Sequence, residues 1–293
     1  MLPAAPALAP GAVVVRRDAA WLEVRLGLRR VAVLPDRPEV RDVLDALREH
    51  RRPALGGPQT RVLDRLLAHD LVVDGALLGT DAADEVAITA RGGLDAARRL
   101  AGRREASIAV RAAGGLDDLA EPARDALLRA GLAAAIVPAQ ADPVATDADP
   151  TLLLAHAATA AEEAAPWVAA GLEHLVVLIE PDGCVVGPYV HPGLTACLHC
   201  VLAHRTDRDP RWPLTAAQVA RLRPAALRPD PALLQEALAI AAADLVRAVE
   251  GDVPLTWSSS RPVRMEGTAH PEDDARWLRH PACGCAWDAW PAD

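Results

Sequence analysis

Apolar residues open the chain in short runs that predict three strands, at positions 12–16, 20–26 and 30–34. The links at 17–19 and 27–29 are of hairpin length. The period then changes. Val40, Val43, Leu44 and Leu47 recur at helical spacing behind Pro38, which suits a first helical turn. Gly56 and Gly57 break that helix. Val62, Leu63, Leu66 and Leu67 then mark a second one, which runs into Leu71, Val72 and Val73 and stops at Asp74–Gly75. Strands followed by helices predict a small winged-helix-like module over residues 1–76. Its first ten residues, rich in Ala and Pro, read as a disordered or loosely attached leader.

From there the pattern alternates. Strands are predicted at 106–110, 133–137, 152–154 and 174–179, with helices at 119–130 and 158–170 between them. Such alternation implies an α/β domain, residues 77–293, with a parallel sheet and crossover helices. The proline-rich stretch 205–231 reads as an ordered excursion. Leu234, Leu238, Ala241, Leu245 and Val249 line one face of the longest helix, 233–249, with Gly251 behind it. The end, 257–293, reads as short strands and turns.

Charge and composition remove several function classes. The net charge of −9 argues against a general nucleic-acid-binding surface. All 31 basic residues are arginine, which excludes a Schiff-base or P-loop lysine in this chain. The N-terminus lacks the charged start of a signal peptide, and no apolar run reaches membrane-spanning length. The expectation is a cytoplasmic protein with no membrane partner. In a reducing compartment, five cysteines point to metal or catalysis before disulfides.

Four of those cysteines form two close pairs, Cys197-x-x-Cys200 and Cys283-Gly284-Cys285. Both spacings let two thiolates turn toward one tetrahedral cation, and thiolates favour zinc over magnesium or calcium. Four thiolates leave no open position, so the site would be structural. Reduced pairs without metal, or a redox Cys197–Cys200 pair, are the alternatives. Cys184 reads as a core or turn residue. His191, His199, His204 and His280 read as surface or packing residues. The turn after the first strand of the alternating region carries Gly114 and Gly115 followed by Asp117 and Asp118, a poor match to a nucleotide-binding G-x-G-x-x-G loop.

Three blocks in order carry a resemblance: Gly187-Pro-Tyr-Val-His-Pro-Gly-Leu-Thr-Ala-Cys-Leu-His-Cys200, then His204-Arg-Thr-Asp-Arg-Asp-Pro-Arg-Trp-Pro213, then His280-Pro-Ala-Cys-Gly-Cys-Ala-Trp287. Over about residues 170–293 the chain resembles the ThiF-like leader-peptide-binding proteins of azole-modified peptide (TOMM, bacteriocin cyclodehydratase) biosynthesis. The resemblance implies a degenerate ubiquitin-activating-enzyme (ThiF/MoeB-like) Rossmann-type domain behind a winged-helix-like RiPP recognition element. It implies structural zinc on Cys197, Cys200, Cys283 and Cys285, with no nucleotide cofactor. It also implies a precursor leader added as a strand beside Arg30, Val31, Ala32, Val33 and Leu34 and against Val62, Leu63, Leu66 and Leu67. The heterocyclising chemistry would reside in a separate YcaO cyclodehydratase, making this chain an accessory subunit rather than an enzyme. The alternative on the same fold is an adenylating enzyme acting on a peptide carboxylate. Activating-enzyme folds often dimerise, so a homodimer is an expectation by analogy.

Overall fold

A computed structural model describes residues 2–80, 82–138, 141–143, 150–221, 228–265 and 276–285. These divide into two compact units, Met1–Gly102 and Arg103–Asp293. The supposed loose leader is structured: β1 (Pro6–Leu8) pairs antiparallel with β5 (Val72–Asp74), and Ala7 and Ala9 are buried. The Ala-Pro composition suggested disorder, but Ala7 packs against Val73 and Ala5 accepts a backbone hydrogen bond from Gly75.

The three predicted strands form a meander, β2 (Val13–Arg16), β3 (Trp21–Leu26) and β4 (Arg30–Pro35), in that order across the sheet. Register sets Val24 opposite Ala32 and Leu22 opposite Leu34, all on the inner face. Onto that face pack α1 (Pro38–Arg48) and α2 (Gly57–Leu67) through Val43, Leu44, Leu47, Val62 and Leu66. Each such side chain contributes about 1.5–3 kcal/mol by burial. Two further helices, α3 (Ala83–Gly92) and α4 (Ala96–Glu105), occupy a stretch for which the sequence pattern gave no element. Their apolar residues are few: only Ile88, Ala96 and Leu100 are buried hydrophobic anchors there.

In the second unit the parallel strands are β6 (Ser107–Ala112), β7 (Ala133–Ile136), β8 (Thr151–His156) and β9 (His174–Glu180), with α5 (Ala120–Arg129) and α6 (Ala160–Ala169) as crossovers. Next to β9 lies antiparallel β10 (Gly183–Val190). The remaining helices are α7 (Leu198–Arg208), α8 (Trp212–Val219) and α9 (Pro231–Val249), and β11 (Arg261–Arg264) closes the sheet beside β10. The sheet order is β11-β10-β9-β8-β6-β7. Near-continuous burial of β6, β8 and β9 matches a sheet covered on both faces. α5 and α9 cover one face through Leu127, Leu238, Ala241 and Leu245. α6 and α7 cover the other through Ala161, Ala164 and Leu198.

α9 starts on Pro231 behind Asp230, whose carboxylate accepts the Ala232 N–H at 2.8 Å. Its buried face includes Asp244, which breaks the apolar stripe. That carboxylate accepts from Leu255 N, Thr256 N and Thr256 Oγ1 at 2.5, 2.9 and 2.5 Å, fixing the segment that places Trp257 against Tyr189. No helix among the described residues is long and apolar enough to cross a membrane.

Candidate metal centre

Cys197 sits at the extended N-cap position of α7 and Cys200 in its first turn, so the two thiols project to one side. Gly284 takes φ +71, a left-handed conformation that lets Cys283 and Cys285 turn toward the same point. The four Sγ atoms lie within 4.8 Å of one another. Cys197 to Cys200 is 3.8 Å, Cys197 to Cys283 is 3.5 Å and Cys200 to Cys285 is 3.5 Å. A tetrahedral ion with metal–sulfur bonds of about 2.3 Å separates its sulfurs by about 3.8 Å. The donors and spacing therefore fit a metal ion.

The surroundings are apolar. Val190, Ala196, Val201 and Trp277 pack with Cys197 and Cys200, which are buried, while Cys283 and Cys285 are half-buried. The Cys197 thiol and the His280 backbone both hydrogen-bond Cys200, and these bonds bring its pKa down to about 4. The bond to Cys200 and then burial push Cys197 up. Burial, followed by the bond to Cys200, pushes Cys285 up to about 12. One thiolate thus holds back its neighbours. A cation among these thiols would relieve that repulsion.

The tail bearing Cys283 and Cys285 is fastened to α7. His204 Nε2 donates to Leu278 O at 2.8 Å, and His280 Nε2 lies 2.9 Å from Asp207 Oδ2. These three side chains also cluster closely enough to be considered as ligands. However, His280 Nδ1 accepts the Ala282 N–H at 3.1 Å, so the hydrogen-bond network assigns the ring proton to Nε2, facing Asp207. That ring has no lone pair left to offer, and the trio is a clamp. No metal-ligand spacing marks Asp207 or Arg279, which bonds the Gly193 carbonyl. His199 faces solvent, and His191 pairs with Glu173 at 2.5 Å. Cys184 is fully buried, and burial pushes its thiol up to about 12, so it belongs to the core.

The residues expected to meet a leader peptide separate by depth. Ala32, Leu34, Val62, Leu63 and Leu66 lie in the first unit's own core, whereas Val31, Val33 and Leu67 are half-buried. The Arg30 guanidinium donates to Ala90 O and Arg91 O at 3.0 and 2.9 Å, capping the end of α3. β4 is an edge of its sheet.

At the point where strand order reverses, between β6 and β8, Gly114 and Gly115 take φ +66 and +83. Arg228 Nη2 occupies the turn, donating to Gly115 O at 3.1 Å and to Asp118 at 2.7 Å.

No protein-family model matches the chain, and no curated protein matches it by sequence. Solved structures do match. The heterocyclase TruD aligns with TM-score 0.66 at 18% identity, over 97% of this chain and 43% of that one. A heterocyclase in complex with substrate and cofactor aligns with TM-score 0.66 at 14% identity, over 96% of this chain and 39% of that one. E. coli MccB aligns with TM-score 0.63 at 12% identity, over 96% of both chains. The chain thus spans less than half of either heterocyclase and nearly all of MccB. Its fold is the one these proteins share.

Proposed function

We propose that this chain is a non-catalytic partner in RiPP biosynthesis. It binds the leader of a ribosomally made precursor on its N-terminal unit, residues 1–76, a winged-helix-like recognition element. It delivers the peptide to a separate YcaO cyclodehydratase for azoline and azole formation. The observation that carries this reading is the likeness of fold to the heterocyclase TruD over 97% of this chain, with TM-score 0.66. The ThiF-like domain, residues 77–293, holds structural zinc on Cys197, Cys200, Cys283 and Cys285. The ion would supply rigidity only, tying the C-terminal tail to α7, because four thiolates leave it no open position.

In leader binding, β4 would offer edge hydrogen bonds, while the half-buried Val31, Val33 and Leu67 would set register. The test is reconstitution. Precursor, YcaO enzyme and ATP are incubated with and without this chain, and the loss of one water per ring is followed by mass spectrometry. Ring formation that depends on the chain supports the reading. Equal ring formation without it refutes the reading.

One observation favours a second reading. MccB and this chain cover each other almost end to end, so an adenylating enzyme acting on a peptide carboxylate stands on the same fold. Against it stands the glycine turn, a poor match to G-x-G-x-x-G in which Asp117 and Asp118 follow Gly114 and Gly115. Robust ATP–pyrophosphate exchange with a peptide C-terminus would reverse the order.

A further inference from the structure

Beyond the carboxyl ends of β8 and β9 the second unit forms an open cavity of about 360 Å³. Its walls are apolar, including Ile179, Leu202, Ala216 and the Trp212 ring. The volume falls in the range of small-ligand pockets, and open α/β sheets bind ligands outside these strand ends. Two polar groups in the wall are unsatisfied. His156 is 5% exposed, and neither ring nitrogen has a hydrogen-bond partner of sound geometry among the described residues. The Gly114 backbone merely lies alongside. The buried Trp212 Nε1 likewise has no partner among the described residues. Leaving such groups unmet is costly, so a ligand that meets them gains in specificity.

The charges of the wall are already matched. Arg264 pairs with Glu180 at 2.7 Å and with Asp182 at 3.4 Å. Arg205 lies over the Trp212 ring at 4.9 Å and the Trp277 ring at 6.0 Å. Burial and then the nearby Arg228 lower the pKa of His156, with the Gly114 backbone opposing, which favours the neutral ring. A phosphate or carboxylate entering here would meet the Glu180 and Asp182 carboxylates.

We infer that this cavity is a binding site for an uncharged, planar, largely apolar group carrying a hydrogen-bond acceptor, such as an aromatic amide. The acceptor takes the Trp212 N–H, and the His156 ring offers the second polar contact. The site is distinct from the cysteine cluster and from β4, and the inference does not rest on the leader reading. A free small molecule and a neutral side chain of a bound peptide present the same chemistry.

The zinc-loaded full chain, labelled with ¹⁵N-tryptophan, tests this. The Trp212 indole cross-peak is assigned by its loss in Trp212→Phe. Benzamide is expected to shift that peak saturably, with benzoate and AMP weaker by at least about tenfold because they bury a charge. Ala216→Trp, which fills the cavity, should abolish the shift while the other indole peaks keep their positions. N-acetylphenylalaninamide binding more tightly than benzamide assigns a peptide side chain as the occupant, and the reverse order assigns a free small molecule. Absence of a saturable benzamide shift, benzoate or AMP binding as well as benzamide, or an undiminished shift in Ala216→Trp overturns the inference.

Discussion

The Sγ atoms of Cys200 and Cys285 lie 3.5 Å apart although 85 positions separate them in the chain. The contact closes the domain, because it joins the first turn of α7 to the C-terminal tail. Replacing Cys283 with alanine removes one corner of the cluster. Zinc content should fall from about one ion per chain to none, and the melting temperature should drop by on the order of 10 °C, with loss of solubility. Elemental analysis and calorimetry check this, and a stable metal-free wild-type protein would contradict it.

Depth within the first unit separates folding from recognition. Leu66 is fully buried, and Leu66→Ala should cost about 2–5 kcal/mol in denaturant unfolding. Val33→Asp and Leu67→Asp fall on half-buried positions. They should leave the fold intact but weaken leader binding about tenfold, near 1.4 kcal/mol. Equal loss of stability in all three variants would remove Val33 and Leu67 from the recognition surface.

Asp244 makes a prediction that its position on α9 conceals. Asp244→Ala would strand two backbone N–H groups and the Thr256 hydroxyl, at about 3 kcal/mol. Unfolding curves give the magnitude. Near-UV circular dichroism should show Trp257 released from Tyr189.

His174 sets a pH dependence. It is buried, with Nδ1 donating to Leu172 O at 3.0 Å, and burial holds its pKa down to about 4. The unfolded chain binds the proton near pH 6.5, so between pH 6.5 and 4 the unfolded state carries more protons. Stability is full above pH 6.5 and declines as pH falls through that window, by up to about 3 kcal/mol. His174→Gln should flatten this slope, as urea titrations across the window would show.

Much of this architecture was legible because periodicity is local. Val40, Val43, Leu44 and Leu47 announced α1, and the unbroken apolar run from Leu175 to Ile179 announced a buried parallel strand. The cysteine pairs were legible because two short spacings sufficed. β1 was not, since Ala7 gains burial from Val73, far along the chain. α3 and α4 escaped because Ala and Arg dominate them, so few large apolar positions mark a face. The His280–Asp207 clamp and the Arg228 contact with the glycine turn are tertiary facts with no local signal.

The most direct measurement of the central claim is fluorescence anisotropy with a labelled leader from the cognate precursor. The account predicts saturable binding with a Kd on the order of micromolar, weakened about tenfold in Val33→Asp. No binding at high micromolar protein, with the zinc-loaded fold intact, would contradict it.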